Sequence, residues 1–356
     1  MNRFEMLFEE LPEEVECALI TSDINRRYFT GMKSSAGVVV AFRNKAYLLI
    51  DFRYIEKARN TVKNAEVIEQ KKLYQQINQL LKEHSVASLA IEAQTMTVST
   101  PNSIRNHFKD VEINDTDMLS NAINSLREVK DEDEINCIRK AQEIAERAFD
   151  DILGFIRVGV TEREIALELN RLMFLYGAED LSFETIALAG ANTSMPHGVP
   201  SDKKVCEGEF VLMDFGAVYN GYHSDMTRTV CVGEPSEEMK KVYSIVLEAQ
   251  LACLEKAKAG MTGSELDYIA RNIIGDSGYG ECFGHSLGHG VGLEIHEIQN
   301  ASPSNKEMLK SGSVITIEPG IYIEGKFGVR IEDFVILTEN GNVNLTKSAK
   351  NIISLQ

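Results

Sequence analysis

The chain has 356 residues, 44% hydrophobic and 26% charged, with a formal net charge of −17. This is the composition of a soluble globular protein long enough to build two cores. The acidic balance excludes nucleic acid as the main partner, because phosphate binding requires a basic face, and no apolar run reaches the length of a membrane span.

In chain order, the start Met1-Asn2-Arg3-Phe4-Glu5-Met6-Leu7-Phe8-Glu9-Glu10 is acidic and amphipathic. It lacks the basic and apolar blocks of a signal peptide, which predicts a cytoplasmic protein. The runs Gly37–Phe42 and Ala46–Ile50 flank the turn Arg43-Asn44-Lys45 and read as strands. Leu73 to His84 has helical spacing, and Ser88–Glu92 is another strand. These elements predict an α/β domain over residues 1–124 and a second domain over 125–356, with a polar boundary at Asn124–Lys130. Beyond it, Asp131-Glu132-Asp133-Glu134 opens a long helix with apolar residues at Ile135, Ile138, Ala141, Ile144, Ala145, Ala148, Phe149 and Ile152. Carboxylates there oppose the positive helix end, so no function need be invoked. The cysteines, Cys17, Cys137, Cys206, Cys231, Cys253 and Cys282, show no CxxC spacing and read as reduced thiols.

A weak repeat runs through the second domain. Arg157–Ile165 and Lys258–Leu266 each carry a glycine that closes a helix and a Thr-x-x-Glu capping box that opens the next. Two similar halves around a shared site are expected.

Five metal-type ligands follow in order: Asp214, Asp225, His289, Glu318 and Glu332. Asp214 interrupts the apolar strand Phe210–Val218, and Asn220-Gly221 signals a type I′ hairpin. A two-residue loop there sets Asp214 opposite Thr227 and puts Asp225 diagonally on the same face. A buried carboxylate normally becomes neutral or finds a cation. His285 and His289 lie among four glycines within Phe283–Gly292, which precludes the helix of an HExxH protease. Glu318 ends the apolar strand Val314–Ile317 before Pro319. The return strand Gly328–Ile336 puts Arg330 and Glu332 on one face. Alone, that pair reads as an ordinary surface ion pair. His197 sits in the loop Met195–Pro200, and His296 follows His289 by seven residues.

Together these residues resemble the pita-bread metallopeptidases, in particular the aminopeptidase P and prolidase branch. Arg26–Gly31 and Leu49–Tyr54 resemble the N-terminal domain of that branch. The resemblance implies an α+β architecture: a pita-bread catalytic domain with pseudo-two-fold halves, preceded by a smaller α/β domain of the creatinase/prolidase type. It implies two divalent cations, best suited as Mn2+ with Co2+, Zn2+ or Fe2+ as alternatives, held by Asp214, Asp225, His289, Glu318 and Glu332 and activating a water. It also implies catalytic roles for His197, His296 and Glu318, and substrate contacts from His285, Tyr322 and Arg330. The expected substrate is a peptide with proline in second position, cleaved at the Xaa-Pro bond by an aminopeptidase. The alternative is an Xaa-Pro dipeptidase. Between His296 and Glu318 the chain has no arginine, only Lys306 and Lys310, to hold a dipeptide's carboxylate, which favours the aminopeptidase. A non-catalytic binding module on the same fold is disfavoured because all five ligands are present. A homodimer is the expected assembly.

Overall fold

The computed structural model describes residues 2–356, which divide after Arg127 into two units. In the first, strands β1 (Cys17–Ile20), β2 (Val38–Phe42), β3 (Lys45–Ile50), β4 (Glu66–Glu69), β5 (Ser88–Ile91) and β6 (Glu112–Asn114) form one mixed sheet in the order β4-β3-β2-β1-β5-β6. The runs forming β1–β3 are rich in Val, Leu, Ile and Ala, and all but Lys45 are buried, as expected for strands covered on both faces. Helix α1 (Arg3–Glu10) precedes the sheet, and helices α2 (Asp23–Thr30), α3 (Ile55–Thr61), α4 (Leu73–Glu83) and α5 (Ser99–His107) lie in its connections.

The polar stretch read as a boundary is largely helical. Helix α6 runs Met118–Glu128, because Leu119, Ala122, Ile123 and Leu126 recur at helical spacing and are all buried. The intervening polar residues mask that stripe in the sequence.

The second unit repeats one pattern. Helix α7 (Glu132–Ile152) is capped by Asp131 and Glu134, as the acidic run implied. Helix α8 (Glu162–Leu175) follows, capped by Thr161 and Glu164. The other half has α9 (Glu237–Lys256) and then α10 (Gly263–Asp276), capped by Thr262 and Glu265. Both capping boxes form, and each capping threonine bridges a later segment, Thr161 to Lys204 and Thr262 to Met308. The glycines of the repeat do not close the helices. Gly159 and Gly260 lie in the connecting turns at φ of 91° and 81°, a backbone region where a Cβ is strained.

Each helix pair covers its own sheet. In the first half β7 (Asp180–Leu181), β8 (Ile186–Ala189), β9 (Glu209–Phe215), β10 (Ala217–Tyr219), β11 (Tyr222–His223) and β12 (Met226–Val232) precede α9. In the second, β13 (Gly288–Gly290), β14 (Glu297–Ala301), β15 (Val314–Ile317), β16 (Gly320–Ile323), β17 (Phe327–Arg330), β18 (Asp333–Thr338) and β19 (Gly341–Asn344) follow α10, and β20 (Ser354–Leu355) returns to the first sheet. The main sheets are ordered β20-β12-β9-β8 and β14-β13-β15-β18-β19. One hydrophobic cluster underlies each half, around Phe149, Leu169 and Met213 in the first and around Val246, Leu266 and Ile317 in the second.

Strand β12 stitches the halves together. Arg228, 1% exposed, uses all five of its N–H groups. They reach Asp333 Oδ1 at 2.8 Å and the carbonyls of Thr227, Glu332, Ser348 and Ala349 at 2.6–2.9 Å. Arg228→Met should therefore leave Asp333 buried with only Lys350 as its charged partner. A loss of about 3–5 kcal/mol is expected, read as a lower urea midpoint; an unchanged midpoint would contradict the stitching role.

Candidate active site

The first two ligand candidates lie at the end of a hairpin ladder. Strands β9 and β12 pair with Asp214 opposite Thr227, as the loop length predicted. Asn220 and Gly221 have φ of 48° and 86°, both positive as a type I′ turn requires. The ladder stops at Phe215 and Met226, so Asp225 falls just beyond it. A Cβ on Gly216 would meet the Ser224 carbonyl oxygen at 1.9 Å; only glycine lets the chain carrying Asp225 approach this closely.

The other three lie on the second half. His289 is the middle residue of β13. Its neighbour Gly288 is pressed on Thr316, whose carbonyl oxygen would be 2.0 Å from an added Cβ. The His289 N–H donates to Thr316 Oγ1 at 2.9 Å, and that hydroxyl donates to Glu318 Oε1 at 3.1 Å. The expected continuous return strand is broken. β15 and β18 pair up to Ile317–Asp333, and β16 and β17 start anew at Gly320–Arg330. Glu318, Pro319, Ile331 and Glu332 occupy the joint. Pro319 has no N–H to continue the ladder, and the Glu332 N–H donates across to the Thr227 carbonyl at 3.1 Å. Arg330 and Glu332 thus meet at Thr227 through a break in the strand, not through strand alternation.

The five candidates converge. Ligand atoms of Asp225, His289 and Glu332 all lie within 4.8 Å of one another. His289 Nε2 is 3.4 Å from Asp225 Oδ2 and 3.5 Å from Glu318 Oε1. Arg330 Nη2 donates to Asp214 Oδ2 at 2.5 Å, and Thr227 Oγ1 donates to Glu332 Oε2 at 2.7 Å. Asp225 and Glu332 are 4% and 1% exposed. Burial and then neighbouring carboxylates hold both carboxyl groups well above the usual range, and burial raises Glu318. Asp214 Oδ1 is buried with no hydrogen-bond partner among the described residues. Repelling buried carboxylates, an orphaned carboxylate oxygen and an adjacent imidazole are what a hard divalent cation would satisfy.

These side chains open on a cavity of about 740 Å³, which His197, His285 and His296 also line. His296 stacks edge-on against His289 at a centroid distance of 4.3 Å. Burial, then the neighbouring His289, lowers the His296 pKa. His285 is pushed down to about 4, by burial first and Arg330 second, so it is neutral near pH 7. Its Nδ1 lies 2.8 Å from the Ser286 carbonyl and its Nε2 2.9 Å from Tyr322 Oη, which accepts from Arg330 Nη1 at 2.8 Å. One proton arrangement fits all three contacts: Nδ1–H donates to Ser286, and Tyr322 donates to Nε2. Tyr322 itself is raised to about 12 by burial.

The two lysines between His296 and Glu318 lie elsewhere. Lys310 pairs with Glu128 at 2.6 Å and Lys306 contacts Ser264 at 3.2 Å; neither lines the cavity. Three positioning residues escaped the sequence reading: Thr227, Thr316 and Arg228. Thr227 alone left a signal, as the residue set opposite Asp214 by the hairpin register.

Comparison with known proteins follows the same division. Residues 136–339 match metallopeptidase family M24, and residues 9–129 match the Creatinase/Prolidase N-terminal domain. The chain is 41% identical over 354 residues to an Xaa-Pro dipeptidase of Pyrococcus furiosus, covering 99% of each. It is similar to the solved structures of an Xaa-Pro dipeptidase from Bacillus anthracis (41% identity, 99% of each chain, TM-score 0.94) and an X-Pro aminopeptidase from Thermotoga maritima (39% identity, 98% and 99% covered, TM-score 0.93). With the convergent site, these likenesses identify the chain as a member of metallopeptidase family M24, a metallo-exopeptidase whose pita-bread catalytic domain follows a creatinase-type N-terminal domain in the sequence.

Proposed function

We propose that this chain is an Xaa-Pro dipeptidase. The observation that carries the reading is the convergence of Asp214, Asp225, His289, Glu318 and Glu332 on one cavity, in a chain with full-length likeness to proteins of that activity. This reverses the order of the two readings drawn from the sequence. The five ligands would hold two divalent cations, and their oxygen-rich set with one imidazole suits Mn2+. When bound, such ions supply an acidified water and a Lewis acid at the scissile carbonyl.

The roles of the chain's own groups follow from their surroundings. Glu318, held by Thr316 and 3.5 Å from His289 Nε2, is placed to take the proton released by the attacking water. His296, kept neutral by its lowered pKa, presents a ring N–H to the oxyanion that develops on the carbonyl, with His197 as a second donor. His285 and Arg330, joined through Tyr322, which does not itself line the cavity, give a fixed wall for the proline ring. Arg330 also orients Asp214. An Xaa-Pro amide has no N–H and a locked φ, so a rigid wall suits it better than a backbone-reading cleft.

One observation favours the aminopeptidase as a second reading. Among the described residues lining the cavity, Arg330 is the sole lysine or arginine, and Asp214 engages it. A dipeptide's carboxylate has no charged partner there, whereas the proline of a longer peptide carries none.

A substrate panel with Mn2+ decides between them. Hydrolysis of Leu-Pro and Ala-Pro without cleavage of Ala-Pro-Ala supports the dipeptidase; efficient cleavage of Ala-Pro-Ala supports the aminopeptidase. Turnover of Met-Ala-Ser alone would refute both.

The metal assignment is tested by stability. Without metal, Asp225 and Glu332 bind more protons folded than unfolded, since their folded pKa values are raised. Stability of chelator-treated protein should therefore fall as pH rises from about 5 to 8. Asp225→Asn should flatten that slope and raise the metal-free Tm at pH 8 by about 2–4 °C, the shift for ~1 kcal/mol of relieved repulsion. The same variant should lose the Tm increase on adding Mn2+. A retained Mn2+ response would remove Asp225 from the ligand set.

The oxyanion role is tested separately. His296→Ala should lower kcat about 100-fold or more while bound Mn2+, measured by elemental analysis, stays at the wild-type level. Loss of metal equal to that of His289→Ala would make His296 a ligand instead.

A further inference from the structure

Between β7 and β8 the chain crosses from one sheet to another. Leu181 pairs with Ala217, and Ile186 pairs with Asp214. Four residues, Ser182 to Thr185, therefore stand against two, Phe215 and Gly216. Such an excess is a bulge, which re-aims side chains and is common beside active sites.

Both ends of this bulge are fastened. The Ser182 N–H donates to the Gly216 carbonyl at 2.9 Å, and Ser182 Oγ meets His223 Nδ1 at 2.8 Å. Thr185 Oγ1 donates to Asn170 Oδ1 at 2.6 Å. The two middle residues, Phe183 and Glu184, line the cavity, next to Ile186 and on the Asp214 side. Glu184 is exposed and has no hydrogen-bond or ion-pair partner among the described residues. It is the one carboxylate of the cavity wall outside the five proposed ligands. The cavity offers it no cation, since Arg330 is engaged by Asp214.

We propose that Glu184 is a specificity determinant that receives the cationic side chain of an N-terminal lysine or arginine in an Xaa-Pro substrate. The inference rests on the Xaa-Pro reading above. Phe183 and Ile186 supply apolar surface for the aliphatic stem of such a side chain, and Glu184 meets its charged end, the division that long basic side chains favour. A leucine in the same position gains the apolar contact and leaves Glu184 solvated.

The test is the ratio of kcat/KM for Lys-Pro to that for Leu-Pro, measured with Mn2+ at fixed low ionic strength. Glu184→Gln should lower the ratio about three- to tenfold, the effect of one partly solvated ion pair. Glu184→Lys should invert the charge preference, so that Glu-Pro overtakes Lys-Pro; misfolding or a purely structural role does not produce inversion. Calorimetry with the released products gives a second readout: free lysine should bind the wild type more tightly than free leucine, and Glu184→Gln should remove the difference. An unchanged ratio in Glu184→Gln overturns the proposal. So does an equal loss on Lys-Pro and Leu-Pro, which would assign Glu184 to the α-ammonium common to both. If the wild type cleaves neither dipeptide, the Xaa-Pro reading fails, and the lysine–leucine binding difference still decides the Glu184 assignment.

Discussion

Mutual repulsion among carboxylates gathered at one largely buried point is the constraint around which the catalytic unit is arranged. Asp214, Asp225, Glu318 and Glu332 meet where water screens them poorly, and burial with their neighbours' charge pushes the last three toward the protonated state. A fold that places such groups together must hold them from behind. Arg330, itself 3% exposed, neutralises part of the charge and grips Asp214. Thr227 joins Glu332 to Arg330, receiving Arg330 Nε at 3.0 Å while donating to Glu332. Thr316 links the His289 backbone to Glu318. Behind this layer the Arg228–Asp333 pair ties together the same strands.

This arrangement explains why the site lies between two similar halves. Asp214 and Asp225 come from the first half, and His289, Glu318 and Glu332 from the second. Each half ends its ladder where its carboxylates stand: the first beyond Phe215–Met226, the second in the joint between β15–β18 and β16–β17. Ladder ends free the backbone to turn toward a common point, and glycines at 216 and 288 allow the close approach this needs. Neither half has the complete set of proposed ligands alone, so the arrangement couples their assembly to the docking of both halves.

Much of the site was legible where local rules sufficed. The Asn220-Gly221 turn set the register that puts Asp214 opposite Thr227, because a two-residue loop admits few alternatives. The capping boxes at Thr161 and Thr262 formed as read, being satisfied within four residues of chain. Local rules failed where a distant partner took over. Gly328–Ile336 reads as one strand by alternation, yet it breaks because the Glu332 N–H bonds to Thr227 on another strand. The second half of helix α6 was read as a boundary because the polar residues of the helix outnumber its four buried apolar ones.

The sequence by itself determined the chemistry available: an ordered set of candidate metal ligands, neighbouring histidines, and turns whose conformations admit little freedom. Those properties reside in residue type and short spacing. Only the tertiary structure decided which groups meet. Thr227, Thr316 and Arg228 act across more than a hundred residues or through backbone atoms, and the bulge carrying Phe183 and Glu184 exists only as a mismatch between two ladders. Lys306 and Lys310, near the site in sequence, are drawn away by Ser264 and Glu128. Spacing along a chain constrains direction over a few residues, whereas hydrogen bonding and packing between strands settle position in space.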